Sequence, residues 1–160
     1  MNPLRTILIL AALALAAAPA LADCLLEGHV TATDESDMPD LGAWQYTLAV
    51  TWDTGSQTAL SHLDFVVEML GGTCDCSDFA GALAFAPIAG ESDGVPDGCM
   101  VQYEAFLECN GDPSIPVEGI LIKWEPIESG ECEPGPIGNG TFTFYSDLEP
   151  VEIDADVPLL

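Results

Sequence analysis

The sequence predicts an all-β protein, an antiparallel β-sandwich of about eight strands stabilised by disulfides, with a small β-barrel as the alternative. Three observations predict it. Apolar residues recur at every second position in segment after segment, and no segment after the leader keeps a helical period. The segments are separated by clusters of Gly, Pro, Asp and Ser, the residues that turn a chain. All six cysteines, an even number, lie after the leader. That is the pattern of an exported, cross-linked domain.

The leader is residues 1–22, which read as a secretory signal peptide. Arg5 supplies a short basic start, residues 7–18 are an unbroken run of Ile, Leu and Ala, and Ala20-Leu21-Ala22 is an A-x-A cleavage site. The run is too short for a membrane span and ends in Pro19 and small residues. Leu21-Ala22-Asp23-Cys24 is a poor lipobox, because a charged residue precedes the Cys. The expectation is therefore a released chain, secreted or periplasmic, with one β-sandwich domain over residues 23–160 and no membrane anchor.

The strands follow in order. Residues 24–33 form a weaker one. Trp44, Tyr46, Leu48, Val50 and Trp52 then share a face, with Gln45, Thr47, Ala49 and Thr51 opposite. Leu63, Phe65, Val67 and Met69 point one way, and His62, Asp64 and Glu68 the other. Residues 81–86 form another weak strand. Val101, Tyr103, Ala105, Leu107 and Cys109 alternate with Gln102, Glu104 and Glu108. In residues 119–125, alternation puts Ile120, Ile122 and Trp124 on the core face and Leu121, Lys123 and Glu125 on the other. Phe142 and Phe144 alternate with Thr141, Thr143 and Tyr145. Val151, Ile153, Ala155 and Val157 alternate with Glu152, Asp154 and Asp156. The breaks fall at 34–42, 53–56, 71–72, 90–98, 111–113 and 129–140.

Cys24, Cys74, Cys76, Cys99, Cys109 and Cys132 are read as disulfide partners. Cys99 and Cys109 flank one strand, which would hold them ~33 Å apart, whereas a bridge needs ~5.5 Å. Cys74 and Cys76 are too close along the chain to pair easily, so they should take different partners. The other connectivities stay open. A zinc cluster built on the cysteines is disfavoured. There is no C-x-x-C pair, and neither His29 nor His62 is spaced to join one.

Several short pieces fall in a fixed order: Trp44 and Tyr46, Ser61-His62 before a strand, Cys74, Gly119 with Ile122-Lys123-Trp124, and Thr141-Phe142-Thr143-Phe144. This order resembles a loose class of secreted bacterial and fungal surface β-domains. The resemblance spans about 100 residues of short motifs. It implies an exported β-domain and assigns no catalytic residue. The chain departs from the class in carrying Gly-Ile-Leu-Ile-Lys where the class has Gly-Ile-Lys.

Charge narrows the function. Loss of Arg5 with the leader moves the formal charge from −25 to −26, and Lys123 is then the one Lys or Arg facing 27 Asp and Glu. A polyanion of this kind repels nucleic-acid phosphates and anionic membranes. Lys123 is expected to pair with Glu125 and with cross-strand acids. Lys123→Glu should then destabilise the fold more at low salt than at high salt.

The candidate metal residues are Glu91, Asp93 and Asp97, acids set around a Gly in the manner of a calcium loop. Asp93 to Cys99 resembles one fragment of a thrombospondin type-3 repeat, and calcium is the cofactor expectation. The full EF-hand spacing is absent. The plainer reading of these acids is a turn between strands. Asp34, Glu35, Asp37 and Asp40 form a second acidic loop.

No G-x-S-x-G, H-E-x-x-H or phosphate loop occurs. Ser61 and His62, adjacent on a strand, should point to opposite faces and form no nucleophile–base pair. Trp44, Trp52 and Trp124 are expected in the core rather than on a sugar-stacking platform. The functional expectation is a non-enzymatic extracellular interaction or surface module, steadied by calcium, with an extracellular protein or glycan as partner. A secreted hydrolase or carbohydrate-binding protein is the alternative.

Overall fold

A computed structural model describes residues 25–35, 41–54, 59–69, 74–113, 118–127 and 132–150. The elements are β1 (Leu25–Asp34), β2 (Trp44–Asp53), β3 (Leu63–Met69), α1 (Cys76–Ala82), β4 (Leu83–Ala84), β5 (Gly90–Val95), β6 (Met100–Glu108), β7 (Gly119–Pro126), β8 (Glu133–Pro134) and β9 (Ile137–Ser146). The strands form one antiparallel sheet in the order β1-β2-β9-β5-β6-β7-β3, with β4 attached to β9 and β8 to β5. The sheet curls into a half-barrel. It has the dry inner face of a sandwich and the curl of a barrel.

The inner face is where alternation placed it. Leu48, Val50 and Trp52 from β2, Val101 and Tyr103 from β6, Ile122 and Trp124 from β7, and Phe142 and Phe144 from β9 make one core with Leu63 and Ala89. Curling lets strands that are not neighbours touch. The Trp124 ring lies 5.7 Å from Phe142 and 6.5 Å from Phe144, and Phe65 lies 6.1 Å from Phe144. Each fully buried large side chain contributes roughly 1.5–3 kcal/mol through the water it sheds. The buried indoles also keep their polar atoms partnered. Trp52 Nε1 donates to the Gly135 carbonyl at 3.0 Å and Trp124 Nε1 to the Ala89 carbonyl at 3.1 Å.

Strand β5 is the main departure from the sequence reading, which made residues 90–98 a break. Its composition, Gly-Glu-Ser-Asp-Gly-Val, has little β propensity, yet it sits between β9 and β6. The reason is packing. A Cβ on Gly90 would come within 2.6 Å of the Phe142 ring, and one on Gly140 within 2.7 Å. Both glycines leave room for that ring. Ser92 is buried and bonds the Tyr103 hydroxyl at 2.9 Å.

Three further expectations change, the first being the break at 129–140, which contains β8 and the start of β9 at Ile137. Leu121, read as outward, is fully buried, so β7 is covered on both faces. Part of residues 81–86 belongs to α1, whose Asp75 and Asp78 make a capping box. The strand expected at 151–157 lies outside the described residues. Among the described residues no helix is long and apolar enough to cross a membrane.

Cys76 bridges Cys109, and Cys99 bridges Cys132, with Cα atoms 5.5 and 6.0 Å apart. The excluded pairs, 74–76 and 99–109, are indeed not formed. Cys74 is exposed and makes no bridge among the described residues, and Cys24 lies outside them. Two disulfides fit an extracellular or periplasmic setting.

Candidate functional site

The outer face of the sheet divides into two regions. Over β1, β2, β9, β5 and β6 lies an open groove of about 640 Å³ whose walls include Glu27, His29, Thr51, Glu91, Asp93 and Asn139. Glu91 and Asp93 reach it because they alternate with the buried Gly90 and Ser92. Asp93 Oδ2 accepts from the Asn139 backbone N–H at 3.3 Å and from Asn139 Nδ2 at 3.1 Å. Asp97 stands apart, exposed in the turn between β5 and β6. The three acids expected to hold calcium thus occupy a hairpin, two on a strand face and one in its turn.

Over β7 and β3 lies a compact charged cluster. In the β3–β7 register Asp64 is opposite Lys123, and alternation turns both away from the core. The chain beyond β6 brings Asp112 onto the same face. Lys123 Nζ is 2.8 Å from Asp112 Oδ2 and 2.8 Å from Glu125 Oε1. Hydrogen bonds that the ammonium donates, to Asp112 first and then to Glu125, hold the lysine pKa well above its usual value. His62 Nε2 faces both aspartates, 3.5 Å from Asp112 Oδ2 and 3.7 Å from Asp64 Oδ2.

The cluster is largely withdrawn from water. The side chains of Asp112 and Asp64 are 1% and 6% exposed. Among the described residues, no hydrogen-bond donor reaches either Asp64 oxygen. Burial raises the Asp64 carboxyl above the usual carboxylate range. The nearby His62 offsets this in part, while Asp112 adds to it.

Ser61 and His62 do not behave as neighbours within a strand. Ser61 Oγ lies 3.0 Å from His62 Nδ1. The pair precedes Leu63, where β3 begins, so the strand pleat does not force the two side chains to opposite faces.

Among the described residues, His62, Asp64 and Asp112 are the one group of three or more His, Cys, Asp or Glu side chains whose ligand atoms converge, all within 4.8 Å of one another. In the sequence Asp112 shows only as part of a turn, and Asp64 only as polar-face alternation. The available signal was that His62, Asp64 and Lys123 all fall on outward positions. That signal says nothing about β3 lying beside β7. Trp52 and Trp124 are buried in the core, as expected, whereas Trp44 is half-buried and stands outside the core cluster.

Comparison of the chain with protein-family models, with curated proteins and with solved structures found no match.

Proposed function

We propose that the chain is an exported, non-enzymatic interaction module whose groove receives a cationic segment of an extracellular partner. One observation carries this reading. Glu27, Glu91 and Asp93 line a groove, and Lys123, the sole Lys or Arg outside the leader, is engaged elsewhere by Asp112 and Glu125. The groove acids therefore have no Lys or Arg of their own, with His29 a basic side chain on the same wall, and a Lys- or Arg-rich segment supplies the cation. Calcium at Glu91 and Asp93 is the smaller alternative occupant of the same wall.

The test separates the groove from the general negative field. A fluorescent Arg-rich peptide is titrated into wild type, into Glu27→Gln/Glu91→Gln, and into Glu133→Gln/Glu149→Gln, which removes the same charge from exposed sites away from the groove. The groove variant is expected to bind at least about tenfold more weakly than the control variant, a difference of about 1.4 kcal/mol. Equal weakening in the two variants would leave only nonspecific attraction.

A secreted hydrolase is the second reading, favoured by the line Ser61 Oγ, His62, Asp112 Oδ2, with gaps of 3.0 and 3.5 Å. It requires His62 to accept the serine proton at Nδ1 and to carry its own proton on Nε2. Covalent labelling by a fluorophosphonate, abolished in Ser61→Ala, is the expected result on this reading. Absence of labelling in wild type removes it.

A further inference from the structure

We infer that His62, Asp64 and Asp112 form a binding site for a single divalent transition-metal ion of the zinc class, with Lys123 as the resident cation that the metal displaces. The site is separate from the groove and does not depend on what the groove binds.

The geometry is that of a collapsed ligand set. Ligand atoms ~2.0–2.1 Å from a tetrahedral zinc lie ~3.4 Å from one another. His62 Nε2 already stands 3.5 Å from Asp112 Oδ2 and 3.7 Å from Asp64 Oδ2, and no two ligand atoms are more than 4.8 Å apart. Asp64 is the independent pointer to a ligand. Its side chain is 94% withdrawn from water, it is directed into this group, and among the described residues no donor serves either oxygen. A buried carboxylate in that condition is costly unless a cation meets it.

Charge supports the same conclusion. Asp64 lies opposite Lys123 in the strand register, Asp112 and Glu125 lie 2.8 Å from its Nζ, and Glu108 adds to the negative field at Asp64. Carboxylates thus outnumber the one ammonium, and a divalent ion reduces that excess. Glu125, 2.8 Å from Lys123 Nζ, retains the ammonium when the metal takes Asp112 Oδ2. Ser61 fixes the imidazole. With Nδ1 donating to Ser61 Oγ, the Nε2 lone pair points toward the two aspartates, as an oriented metal ligand requires. This is the tautomer opposite to the one hydrolysis needs. The imidazole and the compact three-ligand set favour zinc over calcium, which takes six to eight oxygens. Three protein ligands leave a fourth position open for water or for a donor atom of a partner.

The test uses the full chain with its disulfides intact, treated with chelator and titrated calorimetrically with zinc chloride. One zinc per chain is expected, with a raised Tm that chelator reverses. Asp64→Asn and His62→Gln are each expected to weaken binding by at least about tenfold, since even supporting residues around a metal are worth that much. Lys123→Met is expected to bind zinc at least as tightly as wild type, because it removes the competing cation.

Asp64→Asn keeps the side-chain volume and removes a buried charge. Its zinc-free form is expected to melt at or above the wild-type temperature, so its loss of binding is not unfolding. Cobalt in place of zinc should give visible bands of nitrogen and oxygen coordination. Unchanged zinc affinity in Asp64→Asn or His62→Gln overturns the site. So does a cobalt–thiolate charge-transfer band that disappears in Cys74→Ser, because it places the metal on the exposed cysteine.

Discussion

Replacing Trp124 by alanine is expected to lower folding stability by about 3–5 kcal/mol. The side chain is fully buried. It packs edge-on against Phe142 and also meets Phe144, so it joins β7 to β9 across the curl of the sheet. Its loss removes the apolar area of the indole and leaves a cavity that a disulfide-stapled sheet cannot close. It also takes one donor from the Ala89 carbonyl, which keeps the Thr143 backbone N–H at 2.7 Å. Trp124→Phe should recover most of the packing and none of the hydrogen bond. Denaturant melts of the two variants therefore separate the contributions. A domain of this size has about 5–15 kcal/mol in total, so the alanine variant should lose a large fraction of its stability. A loss under about 1 kcal/mol would mean that the site refills, contrary to the close packing of interiors.

Lys123→Met should cost about 2–4 kcal/mol, because it strands the buried Asp112 carboxylate without its ammonium. The figure is set below that of a fully buried pair, since 17% of the lysine side chain is exposed. Double replacement, Lys123→Met with Asp112→Asn, is expected to recover much of the loss, because removing both charges leaves neither uncompensated. Salt separates the two partners of the lysine. The Asp112 side chain is 1% exposed and that of Glu125 is 46% exposed. Screening should therefore weaken only the Glu125 part, and most of the loss should persist at 1 M salt, where the Debye length is ~3 Å.

From sequence, Lys123 is a sheet-face residue whose replacement by Glu matters mainly at low salt, and Asp112 changes that expectation. The pH sense follows from the raised lysine pKa. The stabilisation is fully present below the ordinary lysine value and is lost only as pH rises through the higher folded value. It should thus be intact at neutral pH. Full recovery of Lys123→Met stability by salt alone would show the pair to be a surface interaction.

The amount legible in the sequence differs from element to element. Strand β2 was readable to the residue, since Leu48, Val50 and Trp52 alternate with exposed Ala49 and Thr51. Strand β6 was readable for the same reason. Strand β5 was not, because its Gly90 makes room for the Phe142 ring and its Gly94 for the sulfurs of Cys99 and Cys132, which local propensity does not record. Leu121 was misassigned because period-2 alternation predicts one dry face, and β7 has two.

The lysine-bearing strand shows where the division lies. Sequence alone determined a nearly all-β chain, most of its inner-face residues, two disulfide pairs disfavoured by chain geometry, and a charge that repels phosphate. These depend on local chemistry: side-chain alternation, turn residues, chain geometry and the sum of ionised groups. Only the tertiary structure decided that β3 lies beside β7, that Asp112 comes to Lys123, and that His62 meets two aspartates far from it or beside it in sequence. Strand order is set by how the sheet buries its apolar face as a whole, and no local pattern records it.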